Sequence, residues 1–327
     1  MKTKYKCLGI QEFNANEFSL VPIRFKDRFK IMQWRNEQIY HLRQSKTLTK
    51  QEQNRYFNTI VSSLFDHDKP EQILFSFLKN KECVGYGGLV HINWNLRIAE
   101  LSFLIRTDIN GKKFEYFWNI FIKLIEKVSF DALDFNQIYT ISFNKRPLLY
   151  EILRNNSFEN ILNKDFYLKF SDEKSMLVNV KDSNKLKIRK VLMRDCKLLF
   201  NWVNDENVRR YSLNDHKISW EEHISWFNNK INDNKTNIYI LEKLKTPIGQ
   251  IRVENIQNVL EISFSISNDF RGQGLGNYLI RKILEINPKE NFKARVKPQN
   301  EISKNIFKKF NFRVGQKTKD TITFLYP

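Results

Sequence analysis

Apolar and polar residues follow one order along this chain, and the order then begins again. Residues 24–37, RFKDRFKIMQWRNE, space their apolar positions as one face of a helix around Trp34, and residues 192–206, LMRDCKLLFNWVNDE, do the same around Trp202. A polar loop follows each, then a second helical pattern ending in Tyr56-Phe57 or Trp226-Phe227, then two or three short β-like runs. Next come a loop, a long amphipathic helix (FEYFWNIFIKLIEKVSF or NYLIRKILEI), a strand (QIYTISF or FKARVK), a short helix and a closing hairpin. Strands interleaved with helices predict a mixed α/β structure, a sheet flanked by helices, built twice.

The two passes align in four ordered blocks. Asp27 falls on Asp195, Trp34 on Trp202 and Asn36 on Asn204; residues 47–57 lie on 217–227 with Glu52 on Glu222. VGYGGL (84–89) faces IGQIRV (248–253), and AELSFLI (99–105) faces LEISFSI (260–266). Glu100 precedes Gly111, and Glu261 precedes Gly272, by the same eleven residues. Ordered self-similarity marks a duplicated unit, and 327 residues suit two domains. The expected domains are 1–180, closing on a hairpin over 165–180, and 186–327, with the polar KDSNK (181–185) as linker.

Composition narrows the class. With 41% hydrophobic and 28% charged residues, and no apolar run of eighteen, the chain reads as a globular protein that does not span a membrane. Its N-terminal stretch lacks the apolar core and small-residue cleavage site of an export signal, so a cytoplasmic location is expected. Cys7, Cys83 and Cys196 are widely spaced with no Cys-x-x-Cys pair, which argues against a disulfide framework and against a metal site. The net charge of +19 raises a nucleic-acid partner, but Lys, Asn and Ile are abundant throughout and no basic arm stands out. A solvated basic surface is the expectation, one that also attracts anionic cofactors and nucleotides.

FRGQGLGNYLI (270–280) is where the second pass differs most from the first. Glycines let backbone N–H groups approach an anion closely, and a helix N-terminus adds unsatisfied donors, so this turn suits a phosphate. After LEISFSISND, it resembles the acetyl-coenzyme A loop of the GCN5-related N-acetyltransferases (GNAT), Arg/Gln-x-x-Gly-x-Gly/Ala, and NEISKNIFKKFNF (300–312) resembles that family's Asn-x-x-Ser helix. The resemblance implies two tandem GNAT folds. It implies acetyl-coenzyme A as co-substrate, held by Arg271, Gly272, Gln273, Gly274, Leu275 and Gly276, with its thioester between two splayed strands, EISFSIS and FKARVK. Asn300 and Ser303 either line the pantetheine or cap the last helix. Residues 198–227 are similar to the acetyltransferases of UDP-linked 4-amino-dideoxy sugars in the pseudaminic acid pathway. That implies a small-molecule amine as acceptor, a UDP-amino sugar for surface glycans. Protein N-terminal, ribosomal-protein and antibiotic amines remain alternatives, as does a non-catalytic coenzyme A-binding protein.

Glu261 sits on the strand from which many family members present the base that takes the amine's proton, although Glu100 holds the same place in the other copy. His223 is a second candidate base, a substrate contact or a solvated helix residue. Trp202 and Phe227 recur as Trp34 and Phe57 and read as core, whereas Trp220 has Lys50 as counterpart and reads as a substrate contact, with Tyr211, Ser212 and Asn214 in the loop before it. Phe307 stands where the family often has a Tyr that protonates the departing thiolate. In the first copy Asn110 replaces Arg271, Lys113 replaces Gly274 and Glu115 replaces Gly276. That copy is expected to have lost the coenzyme and to pair with the second as a structural or acceptor-binding domain.

Overall fold

The computed structural model describes residues 3–143, 147–161 and 176–327. Among them the chain forms two compact units, one reaching Ser183 and the other Asn184–Pro327. Residues 162–175, where most of the expected hairpin falls, lie outside the described residues.

In the first unit, strands β1 (Phe13–Ala15) and β2 (Phe18–Pro22) precede helix α1 (Arg28–Glu37), then α2 (Lys50–Tyr56), which runs through a π-helical turn into α3 (Ser62–Leu64). Strands β3 (Ile73–Lys79), β4 (Glu82–Asn93) and β5 (Ile98–Ile105) form an antiparallel meander leading into α4 (Gly111–Glu126). Strand β6 (Gln137–Phe143), α5 (Pro147–Asn155), β7 (Glu159–Asn160) and β8 (Met176–Asp182) complete it. The sheet order is β1-β2-β3-β4-β5-β6-β8-β7, antiparallel except for β5 beside β6. Strand β8 runs through Lys181 and Asp182, so these belong to the sheet rather than to the stretch read as a linker.

The second unit repeats the plan. Strand β9 (Leu186–Lys190) is followed by α6 (Cys196–Val203), α7 (Glu206–Tyr211) and α8 (Trp220–Ile231). The meander β10 (Thr236–Lys243), β11 (Thr246–Ile256) and β12 (Val259–Ile266) enters α9 (Leu275–Ile286). Strand β13 (Phe292–Val296), α10 (Glu301–Lys309), β14 (Arg313–Lys317) and β15 (Ile322–Tyr326) close the order β14-β15-β13-β12-β11-β10-β9, antiparallel except for β12 beside β13. Two mostly antiparallel sheets flanked by helices are the fold class read from the sequence.

The aligned positions have matching physical roles. Asn36 and Asn204 each bond both ways to a residue ahead of the next helix: Asn36 with the N–H and C=O of Leu48 (2.7 and 2.9 Å), Asn204 with those of Ile218 (2.9 and 2.9 Å). Thr49 with Glu52, and Ser219 with Glu222, form reciprocal capping boxes that start α2 and α8. Buried Asp27 and Asp195 each receive a two-nitrogen arginine fork, from Arg24 and Arg189. The recurring residues thus anchor the helical layer to the sheet. Among the described residues no helix is long and apolar enough to cross a membrane.

Candidate active site

Strand alternation builds the site in the second unit. On one face, Ile251 and Val253 of β11, Ile262 of β12 and Phe292 and Ala294 of β13 are buried in the same core as Leu279, Ile280 and Ile283 of α9. On the other face, Leu199 of α6 and Phe227 of α8 cover Ile238 and Ile240 of β10. The middle of that second face is polar: Gln250, Arg252 and Glu254 on β11, Glu261, Ser263 and Ser265 on β12, and Lys293 and Arg295 on β13, all half-buried or exposed. A run of polar side chains on central strands is costly for a closed core and suited to a ligand.

Within this face Glu261 Oε1 accepts from Arg295 Nε at 2.7 Å and lies 2.6 Å from its Nη2. Its Oε2 lies 3.8 Å from Lys293 Nζ and has no hydrogen bond among the described residues. Glu254 pairs with Lys230 at 2.5 Å and Arg252 at 3.2 Å, and the Arg252 guanidinium stands 5.6 Å from the Trp226 ring centroid. Beside Glu261 the sheet opens. Strands β12 and β13 pair only at Leu260–Phe292 and Glu261–Lys293, then part, so the residues beyond form a wedge with free backbone edges. This is the splay that the family resemblance implied for EISFSIS and FKARVK.

The wedge leads to the glycine loop. Gly272 (φ 78°) and Gly274 (φ 76°) are both left-handed, a conformation that disfavours other residues. Gly274 is the N-cap of α9 and offers no side chain, and no partner among the described residues takes the N–H groups of Leu275, Gly276 or Asn277. The Oδ1 of Asn277, in the same turn, is buried and unpartnered. Uncapped N–H donors at the start of a twelve-residue helix, with open space where a Cβ of Gly272 would stand, fit a diphosphate. Gly276 has a different role: a Cβ there would come within 2.9 Å of Ile306 and 3.0 Å of Phe264, so its bareness lets α9 pack closely.

Several predicted site residues are engaged elsewhere. Arg271 turns away from the helix N-terminus: Nε donates to Ile266 O (3.0 Å), Nη1 to Asn268 (3.0 Å) and Nη2 to Asp205 (2.6 Å). It braces the loop. His223 is buried, donates from Nε2 to Cys196 O at 2.9 Å and packs among Phe200, Trp220, Trp226 and Phe227, so its ring is engaged in the packing of α6 and α8. Burial pushes its pKa down, against the opposing pull of the Cys196 carbonyl. Trp220 packs edge-on against Phe200 with Lys197 Nζ 4.8 Å from its ring centroid, so its ring serves the α6–α8 contact. Asn300 caps α10 by accepting from the N–H of Ser303 at 3.0 Å, and the Ser303 side chain is half-buried. Phe307 is buried against Phe264, Phe312 and Phe324 and brings no proton donor.

The loop 211–216 is held by a residue the sequence reading missed. Arg209 donates to Val203 O (2.6 Å), to Ser212 Oγ (2.9 Å) and to the carbonyls of Asn214 and His216 (both 3.1 Å). Ser212 and Asn214 therefore spend polar groups on the loop itself, while Tyr211 ends α7, half-buried. Lys297, just past β13, donates to Arg210 O (3.1 Å) and lies 3.3 Å from Asp215, joining this loop to the mouth of the wedge. Asp205 Oδ1 also caps α7, accepting from the N–H groups of Asn207 and Val208 at 3.1 Å each. Burial opposes its ionisation, but Arg271 and these N–H donors outweigh that and hold its carboxyl below the ordinary value.

The corresponding parts of the first unit differ. Gly111 aligns with Gly272, yet α4 already begins there, whereas α9 begins at Leu275, three residues further on. Lys112 and Lys113 thus sit in a helical turn where the second unit has its loop. Glu100 is buried, with one carboxylate oxygen taken by Arg43 and the other by His91 Nδ1 at 2.7 Å.

Two family models match the chain, both described as an acetyltransferase (GNAT) domain, one over residues 20–166 and one over 185–313. No curated protein sequence matches it. Among solved structures, it is similar to a spermidine N-acetyltransferase from Vibrio cholerae in complex with CoA and spermine (18% identity, 44% of this chain and 96% of that one, TM-score 0.40). An N-acetyltransferase from Staphylococcus aureus Mu50 (20%, 43% and 97%, TM-score 0.37) and the Campylobacter jejuni N-acetyltransferase PseH (15%, 43% and 97%, TM-score 0.35) are similar too.

Proposed function

From a chain that carries two acetyltransferase (GNAT) domains, one in each half, we propose that the second unit transfers an acetyl group from acetyl-coenzyme A to the amine of an anionic small molecule, a UDP-linked amino sugar. The observation that carries the coenzyme reading is the uncapped α9 N-terminus behind two left-handed glycines, opening onto the β12–β13 wedge. The diphosphate rests on the N–H groups of Leu275, Gly276 and Asn277. From Ile266 back to Glu261 is five strand residues, about 17 Å, a span of the order of an extended pantetheine arm. The thioester then lies beside Glu261.

The amine attacks the thioester carbonyl carbon, the C–S bond breaks, and coenzyme A departs as thiolate. Oε2 of Glu261, the oxygen not used by Arg295, takes the ammonium proton directly or through water. Phe307 offers no acid, but a thiol with an ordinary pKa of about 8.5 leaves acceptably as thiolate. The acceptor reading rests on charge: Arg252, Lys293 and Arg295 share the polar face with Glu254 and Glu261, and Lys297 stands at its mouth. On this face the three cations outnumber the two carboxylates, and that excess favours phosphates over polyamines.

In the same reading the first unit binds no coenzyme, because its loop is absorbed into α4 and both oxygens of Glu100 are occupied. Thiol release from acetyl-coenzyme A tests the assignment, with a UDP-4-amino sugar, spermidine, an aminoglycoside and a peptide N-terminus as acceptors. Turnover with the nucleotide sugar is expected. Turnover with spermidine alone would overturn the acceptor class, and coenzyme binding without thiol release for any amine would make the chain a binding protein.

A further inference from the structure

The glycine loop and the acceptor-side loop meet at one carboxylate. Oδ1 of Asp205 receives Nη2 of Arg271 at 2.6 Å, one residue ahead of Gly272, and at the same time caps α7 through Asn207 and Val208. Helix α7 has six residues, too few to persist by itself, so its order depends on that cap and on what holds it. Arg209, on α7, is the residue that pins Ser212, Asn214 and His216. A continuous chain of hydrogen bonds thus runs from the pyrophosphate side of the wedge to the loop at its acceptor side. The first unit keeps only a neutral version: Glu37, aligned with Asp205, accepts from Thr107 Oγ1 at 2.7 Å. No helix matching α7 follows it, only a single 3-10 turn over Ile39–His41.

We propose that Asp205 is a positioning residue that couples the two halves of the site, so that coenzyme binding at the glycine loop orders residues 209–217 for the acceptor. A diphosphate settling on the loop fixes the backbone at Gly272, and with it the adjoining Arg271, whose Nη2 then holds Asp205 and α7 in register. A charge-assisted bond suits this task because it is strong and directional. Coupling of this kind is reciprocal: acceptor binding tightens coenzyme binding by the same factor. The inference rests on the coenzyme reading above.

Hydrogen exchange of the full chain with and without coenzyme A tests it, calorimetry reporting binding in parallel. In the parent, coenzyme A should slow exchange across 209–217 at least fivefold. Asp205→Asn and Asp205→Ser both retain a good helix cap but lose the charged contact. They should still bind coenzyme A while the protection of 209–217 falls below twofold. Protection equal to the parent's in both variants would overturn the proposal, as would a parent loop that does not respond although coenzyme A binds. A parent that binds no coenzyme A fails earlier, at the proposed function, and takes this inference with it.

Discussion

Glu261, at the last paired rung of β12 and β13, takes on Oε1 the fork of Arg295 from two residues beyond that rung, and among the described residues its other carboxylate oxygen has no hydrogen bond. The pair leaves one oxygen oriented beside the wedge. Replacing Glu261 with Gln keeps the shape and removes the proton acceptor. The maximal rate should fall by about 100- to 10,000-fold, the usual range for acid–base catalysis, with coenzyme affinity little changed. Steady-state kinetics with calorimetry checks this; a rate within threefold of the parent would transfer the role to water or to the acceptor itself.

Arg295 contributes differently. Arg295→Gln removes a charged hydrogen bond, a loss of about 1.5–3 kcal/mol where the contact is made. An anionic acceptor should show a KM raised about tenfold or more, with coenzyme A affinity unchanged. An unaltered KM would remove Arg295 from acceptor binding.

His223 is predicted to matter for stability and not for catalysis. Its pKa is lower in the folded chain than the ordinary value near 6.5, so the unfolded chain binds more protons below that pH. The stabilisation is complete above about pH 6.5 and is lost as pH falls toward the folded pKa. Urea unfolding at pH 5.5 and 7.5 should show this loss in the parent and a smaller one in His223→Phe. Breaking the bond to Cys196 O should also cost about 1–3 kcal/mol at pH 7.5, while kcat stays within threefold. A collapse of kcat in a folded variant would restore His223 as a base.

Much of the fold was readable in the sequence because its cause is local. The Trp-x-Asn stretch, the helical spacing around it and the β-like runs each act within about fifteen residues, and the duplication displayed each twice. The glycine loop was readable for the same reason, since left-handed φ demands glycine. What stayed hidden depends on contacts distant in sequence. Arg271 is drawn to Asp205, sixty-six residues away, so its side chain braces the loop. His223 read as a candidate base and Trp220 as a substrate contact because nothing local shows that α6 packs on both. Arg252, Lys293 and Arg295 share a face only once three strands are in register, although polar residues at every second position of β11 and β12 were a visible sign.

Gly274→Lys should abolish coenzyme A binding without unfolding the chain. A side chain at φ 76° is strained by about 1–2 kcal/mol, and it projects at the α9 N-terminus. Unchanged affinity in a folded variant would displace the cradle.

Calorimetric titration of the whole chain with acetyl-coenzyme A distinguishes one coenzyme site from two, because the two units carry the same fold and differ in the loop. One site per chain is expected, lost in Gly274→Lys. Two sites of comparable affinity, or one site that survives that substitution, would contradict it.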